Sequence, residues 1–447
     1  MSTKDIDRKV LRKVALRLLP MLMILYFLSY LDRVNVGFAA LTMNADLGFS
    51  ATAYGLGAGL FFIGYFLFEV PSNLLLAKFG ARIWITRIIL TWGAIAGMMA
   101  FVQGPISFYI LRFLLGAAEA GFFPGIIYFL GLWFPRSERG RIVAFIYAAA
   151  PVSFLLGSPL STLLIQYGHG FMGLAGWRFM FAIEGLATVA AGIVAYFILV
   201  DRPTKAKWLP TADAKRLEGL IAAEDAAVKA THSSHSLRKA FSPRVFLLGL
   251  IYFGISYGAY AIGFFLPQIV SGFQATYGVK FNLTQIGLIT AIPFAIATAV
   301  MLPWARHSDK KQERFVHLAI TTFLGGAAIA VSLLLGSPVL SMVGITFTAV
   351  GIYCSIPVFW QLPPTFLTGT AAAAGLGVIN SLGNLSGFFA PYLSGYFKDM
   401  TGSLQPGMLV ASGFTLLSGV LVLVLRTQIN KNHKAEAAVQ SQGSLVK

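Results

Sequence analysis

Twelve apolar stretches dominate this sequence, near residues 17–40, 52–76, 83–103, 106–134, 142–165, 177–200, 245–270, 284–304, 315–336, 339–361, 370–395 and 404–425. A hydrocarbon core takes about 20 helical residues to cross, and each stretch reaches that length. The expected fold is therefore an all-α integral membrane protein with twelve transmembrane helices. Only 11% of residues are charged, against about 25% in soluble proteins. Lys4, Arg8, Lys9, Arg12, Lys13 and Arg17 precede a first run too long for a signal-peptide core, so that run is expected to stay as an anchor. Cys354 is the single cysteine, which excludes an intramolecular disulfide and a cysteine metal cluster; a small core residue is expected there.

The net charge of +17 invites a nucleic-acid reading, and the placement of the cations argues against it. Of the 34 Lys and Arg, 29 fall at the termini, in alternate loops or at the span ends beside them (Arg17, Arg87), three (Arg178, Lys280, Lys398) in the opposite set, and two (Arg33, Arg112) deep inside spans. By the positive-inside rule both termini are expected in the cytoplasm. The lipid bilayer, not nucleic acid, is the partner this pattern implies.

Three pairs, Pro71 with Pro303, Lys78 with Lys310 and Arg82 with Arg314, share an offset of 232 residues. That supports two six-helix pseudo-repeats, an architecture whose substrate site lies between the halves. The expected division is a first bundle over 1–200, a linker over 201–244, a second bundle over 245–430 and a tail over 431–447. Within the linker, Thr211-Ala212-Asp213 predicts the start of a short helix running to Glu224. His232 and His235 lie in a polar stretch without further ligands and are expected to be solvated, so no metal or other cofactor is expected.

Charges inside spans are costly and usually functional. In the first span Tyr26, Tyr30 and Arg33 share a helical face while Asp32 points about 100° away. Asp32 and Arg33 either neutralise each other or serve separate partners. In the fourth span Arg112 and Glu119, seven residues apart, lie on one face about 10 Å apart along the axis, followed by a helix break at Phe122-Phe123-Pro124-Gly125. Gly55, Gly57, Gly59 and Gly64 form a small-residue face on the second span, next to Tyr65. Pro151 and Pro159 predict bends in the fifth, and Glu184 is expected to pair with Arg178 in the sixth. The second half has no charged residue within its spans. It carries Tyr252, Tyr257, Tyr260 and Gln268, then Trp360 and Gln361, then Asn380 and Asn384, an i,i+4 amide pair that either faces a cavity or bonds a neighbouring helix.

Tyr30-Leu31-Asp32-Arg33-Val34-Asn35, Arg112 with Glu119-Ala-Gly-Phe-Phe-Pro-Gly125, Trp133-Phe134-Pro135-Arg136-Ser-Glu-Arg139 and the basic second and eighth loops resemble the anion:cation symporter family of the major facilitator superfamily. The resemblance implies the major facilitator fold and proton-coupled import of a small organic carboxylate across the bacterial inner membrane: a sugar acid, a tartrate-like hydroxy acid or an aromatic acid. It also implies that Arg33 is the principal carboxylate ligand, that Arg112 orders the acids, and that Asp32 and Glu119 carry protons. Tyr30, Tyr65, Trp360 and Asn380 match cavity-lining positions, with Asn384 beside them. Lys78, Arg82, Asp309 and Arg314 belong to the gating loops, although the first loop has Ala77 where the motif has an acid. The amide that some sugar-acid members carry in the fifth span is missing around Ala150. A monomer is expected. An exchanger or exporter of organic anions is the alternative on the same fold; a membrane sensor or enzyme is more remote, with no mid-span histidine cluster or output domain in the sequence. No Gly-x-x-x-x-Gly-Lys phosphate loop is present, which argues against ATP-driven transport.

Overall fold

The computed structural model describes residues 8–231, 241–363 and 369–444; His232 and His235 lie outside them. Every described element is helical: α1 Arg8–Leu47, α2 Ala51–Phe79, α3 Ala81–Met98, α4 Pro105–Glu119, α5 Phe122–Trp133, α6 Arg136–Tyr147, α7 Ala149–Gly168, α8 Gly176–Ile198, α9 Thr211–Thr231, α10 Pro243–Tyr277, α11 Leu283–Lys311, α12 Phe315–Ser332, α13 Pro338–Phe359, α14 Gly369–Thr401 and α15 Gln405–Ser444. Taking α4–α5 and α6–α7 as one span each, eleven helical segments are long and apolar enough to cross a membrane. The twelfth span is α14, 33 residues long, whose alanines, glycines and Asn380 and Asn384 dilute its apolarity. Outward-facing side chains such as Leu74, Phe101, Ile106 and Leu334 are exposed, as lipid-facing residues are.

The repeat extends beyond the three pairs seen in the sequence. Helix α11 has the bounds of α2 displaced by the same 232 residues, both being 29 residues long, and the helices that follow, α3 and α12, both have 18 residues. Two compact units nonetheless cut across the second repeat. The first comprises residues 1–234, 261–298 and 387–407; the second comprises 235–260, 299–386 and 408–447. Helices α10, α11 and α14 thus contribute a segment to each, as does α15 through its first three residues.

Within the first unit, glycines set the helix spacing. They divide between two faces of α2 instead of forming the single face expected, because a two-residue step turns about 200° around a helix. A Cβ on Gly64 would lie 2.2 Å from the Phe113 carbonyl oxygen, and one on Gly57 would strike the Phe108 ring, so these two press on α4. Gly55 and Gly59 instead meet Pro391 and Phe388 of α14. At the N-terminus of α2, Ser50 Oγ accepts from the Ala53 amide, while the Asp399 carboxylate of α14 accepts from the Ala51 and Thr52 amides at 3.0 and 2.7 Å. An anion there satisfies free amides and complements the helix dipole.

Two breaks differ from, or explain, the sequence expectation. The fourth span breaks at Ala120–Gly121, ahead of the expected Phe122–Gly125, because Gly121 takes the left-handed conformation (φ 83°). A Cβ there would also meet Ser72 Oγ at 2.4 Å. The fifth span breaks at Ala148, between α6 and α7, three residues before Pro151; proline has no N–H to offer the Tyr147 carbonyl.

The linker helix α9 continues seven residues past the expected Glu224, to Thr231, and it docks. Leu209, Leu217, Leu220 and Ile221 are buried, Trp208 stacks on Trp133 at 5.6 Å, and Glu224 accepts from the Arg136 amide that opens α6 at 2.9 Å.

Candidate functional site

The acid and base adjacent in the sequence, Asp32 and Arg33, go to different partners, so self-neutralisation is excluded. Arg33 Nη2 donates to Glu119 Oε1 in a buried ion pair. Its guanidinium lies over the rings of Tyr30 (5.0 Å), Phe61 (5.1 Å) and Tyr65 (5.5 Å). Each cation–π contact contributes about 0.5–2 kcal/mol, more when desolvated. Glu119 is the last residue of α4, so the break at Ala120–Gly121 places the acid where the helix ends. Its Oε2 is buried with no hydrogen-bond partner among the described residues.

Arg112, which the resemblance casts as the residue ordering the acids, is fully buried and donates to the Ala58 carbonyl at 3.2 Å. It reaches the site through Phe61, over whose ring it lies at 5.0 Å. One aromatic ring therefore faces both guanidiniums. Phe61 was missed in the sequence; the available signal was its place one turn before Tyr65 on α2. Below Arg33 the first unit continues the aromatic wall: Tyr26 packs on Tyr30 at 5.1 Å, on Phe123 at 5.4 Å and on Tyr147 at 6.0 Å.

Asp32 occupies the other side of α1. Its Oδ2 accepts from Trp92 Nε1 at 2.8 Å and Thr188 Oγ1 at 2.7 Å. Glu184 does not pair with Arg178 as expected. It accepts from Asn35 Nδ2 at 2.8 Å and Ser161 Oγ at 2.7 Å, while Arg178 donates to the Ala100 carbonyl and lies over the Trp177 ring. The reason is positional: Glu184 faces α1 and α7 from mid-helix, whereas Arg178 sits in the first turn of α8, where it reaches a carbonyl in the 3-10 turn that follows α3.

In the second unit Trp360 caps α13 and packs at 4.9 Å on Tyr252, which stacks on Phe359 at 5.0 Å. The Trp360 indole N–H is buried without a partner among the described residues. Asn384 Oδ1 accepts from Tyr260 at 3.3 Å, and Asn380, one turn earlier, is half-buried. Among the residues that the resemblance assigns to gating loops, Lys78 lies over Phe79, Arg314 donates to the Gln361 carbonyl at 3.3 Å, and Asp309 is exposed. Arg82 donates from Nε to the Tyr196 carbonyl and from its amide to Asp201 Oδ1, both at 2.8 Å. Asp201, just past α8, thus brings a carboxylate to the loop whose acidic motif position is Ala77.

No group of three or more His, Cys, Asp or Glu suited to a metal occurs among the described residues. Chemically, the first-unit site holds one always-charged bidentate donor against one exchangeable carboxylate, lined with aromatic rings and hydroxyls. That arrangement can bind an incoming carboxylate and release a proton acceptor.

Known proteins share both the sequence and the fold. The sequence model of the Major Facilitator Superfamily matches residues 22–391. The chain is 49% identical over 437 residues to an Agrobacterium vitis protein described as "Putative tartrate transporter", covering 98% of this chain and 99% of that one. It is 40% identical over 436 residues to a quinolone resistance transporter of Acinetobacter baumannii, covering 98% and 99%. Among solved structures, the xylose transporter XylE of E. coli in a partially occluded inward-open conformation superposes with a TM-score of 0.69 at 15% identity, over 91% of this chain and 98% of that one. A fold of twelve spans in two repeats, a superfamily match spanning most of its length and near-complete alignment with carriers agree, and the chain belongs to the Major Facilitator Superfamily, in its organic-acid transporter group.

Proposed function

We propose that this multi-pass membrane protein is a proton-coupled importer of a small hydroxy dicarboxylate of the tartrate type, acting as a monomer in the bacterial inner membrane with both termini in the cytoplasm. The single observation that carries the reading is the buried Arg33–Glu119 pair inside an aromatic cage. The near-full-length likeness to a protein named for tartrate supports the substrate class, and the distribution of Lys and Arg supports the orientation.

Arg33 holds Glu119 while the site is empty. An entering carboxylate competes for the guanidinium and gains two parallel charge-assisted hydrogen bonds. Glu119, left without its cation in a water-poor site, is then neutralised by a proton. Anion and proton therefore favour each other's binding, and by linkage the coupling is reciprocal. The aromatic rings hold the cation, and the hydroxyls of Tyr30 and Tyr65 are available to a hydroxy acid. Movement of the two six-helix repeats about the site gives alternating access. With more protons than anionic charges carried, each net charge moved inward gains about 2.3 kcal/mol per 100 mV.

Uptake of radiolabelled L-tartrate by proteoliposomes under an imposed inward proton gradient tests the reading. The wild type accumulates tartrate above equilibrium and Arg33→Ala does not bind it; wild-type accumulation that ignores the proton gradient contradicts the proposal. A second reading, export, rests on the likeness to the quinolone resistance transporter. It predicts that an opposed proton gradient empties preloaded vesicles and that a quinolone competes with tartrate.

A further inference from the structure

Behind the Arg33 site, α1 and α8 are joined by two polar rungs. On α1 they are Asp32 and Asn35, three residues apart; on α8 they are Thr188 and Glu184, four apart. Thr188 donates to Asp32 at 2.7 Å, and Asn35 donates to Glu184 at 2.8 Å. Successive turns of a helix rise about 5.4 Å, so the two carboxyl groups stand about one turn apart. Both are buried to 2% exposure or less.

The donors to Glu184 are neutral: an amide from Asn35 and a hydroxyl from Ser161. The elements packed against it offer no cation. Helix α7 has no charged residue, and α3 has only Arg82 and Arg87, which lie over Tyr196 and Trp84. On α1, Arg8, Lys9, Arg12, Lys13 and Arg17 lie about five helical turns or more before Asn35, Arg33 is taken by Glu119 and Asp46 accepts from Trp177, which leaves Asp32 as the charged neighbour. On α8 itself, Arg178 is held at Ala100. A carboxylate buried without a cation costs several kcal/mol, far more than two neutral hydrogen bonds return.

Two acceptors in this cluster also lack a donor. Asn35 Oδ1 and Asp32 Oδ1 are buried with no hydrogen-bond partner among the described residues. A protonated Glu184 is the donor that Asn35 Oδ1 lacks: acid O–H to amide oxygen and amide N–H to acid oxygen form a reciprocal pair. An amide that both gives and receives can hold the acid in either state.

We propose that Glu184 is a further proton-carrying residue of this transporter, exchanging its proton with Asp32, the carboxyl group about one helical turn away. This rests on the proton-coupled reading above. The proton moves without bond-making beyond O–H: one carboxylic acid loses it as a carboxylate gains it. Glu184 contacts no substrate in this scheme; it loads and unloads the proton behind Asp32.

Three measurements test it. In proteoliposomes the pH gradient that just balances a tartrate gradient gives the proton stoichiometry, and Glu184→Gln is expected to carry one proton fewer while keeping tartrate–tartrate exchange. Ser161→Ala keeps the acid and deletes a donor to its ionised form, so the pH dependence of uptake shifts to higher pH. In infrared spectra of the purified protein, the protonated-carboxyl C=O band loses one component in Glu184→Gln and persists to higher pH in Ser161→Ala, whether or not tartrate is the cargo and even if Glu184→Gln does not assemble. Unchanged stoichiometry and unchanged carboxyl bands overturn the proposal. Proton-insensitive uptake by the wild type overturns the functional reading instead, and the infrared result then decides on Glu184 alone.

Discussion

Replacing Glu119 with Gln separates the two roles assigned to the Arg33 pair. Under the proposed scheme, an ionised Glu119, paired with Arg33 in the structure, competes with substrate for it at alkaline pH. A hydrogen bond to a charged group contributes about 1.5–3 kcal/mol, roughly twice a neutral one. Gln keeps a neutral acceptor, so about half of that competition disappears, and about 1.4 kcal/mol is a factor of ten in binding. Calorimetric titration of L-tartrate into Glu119→Gln at alkaline pH is therefore expected to give about three- to tenfold tighter binding than wild type. Lowering the pH tightens wild-type binding, because the proton takes Glu119 away from Arg33, and has a smaller effect on the variant. The variant exchanges tartrate, carries one proton fewer and concentrates tartrate less than the wild type under the same proton gradient. Loss of tartrate binding in Glu119→Gln, or a wild-type pH dependence retained by it, refutes the competition.

Gly116→Ala places a Cβ 1.8 Å from the Phe61 carbonyl oxygen; overpacking of this kind costs about 1–3 kcal/mol, so the melting temperature falls, and tartrate affinity falls with it because Phe61 faces both arginines. Asp399 is exposed in the last turn of α14, past the apolar stretch 370–395; slight desolvation raises its proton affinity, but the hydrogen bonds from Thr52 and Ala51 outweigh this and hold its carboxyl below the ordinary range. Its stabilising effect is therefore present above the unfolded value and lost as pH falls through the lower folded one; in pH-dependent melting, Asp399→Asn flattens that acid-side decline. Asp201→Ala removes the acid that accepts from the Arg82 amide, so uptake slows while equilibrium tartrate binding, measured by calorimetry, stays at the wild-type value.

The spans and the repeat were legible because both are properties of one-dimensional spacing: runs near 20 residues, and an offset of 232 that carries over to the helix bounds of α2 and α11. The shared face of Tyr30 and Arg33 was legible for the same reason. What spacing does not carry is which helix lies opposite. Glu184 has Arg178 nearby in sequence, yet it meets Asn35 of α1, 149 residues away. Arg112 and Glu119 share a helix, yet Glu119 is held by Arg33 from another, 86 residues away. Ala77 pointed to a missing acid, and the acid arrives as Asp201 from the end of a different span. The glycines of α2 likewise needed two neighbours, α4 and α14, before their two faces could be told apart.

The central claim is that carboxylate and proton enter together. It is tested most directly with wild-type proteoliposomes carrying a pH-sensitive dye in the lumen, with no imposed gradient and the membrane potential clamped at zero. External L-tartrate is expected to acidify the lumen, and Arg33→Ala vesicles stay at their starting pH. Tartrate entry with no change of luminal pH, or with alkalinisation, contradicts the account.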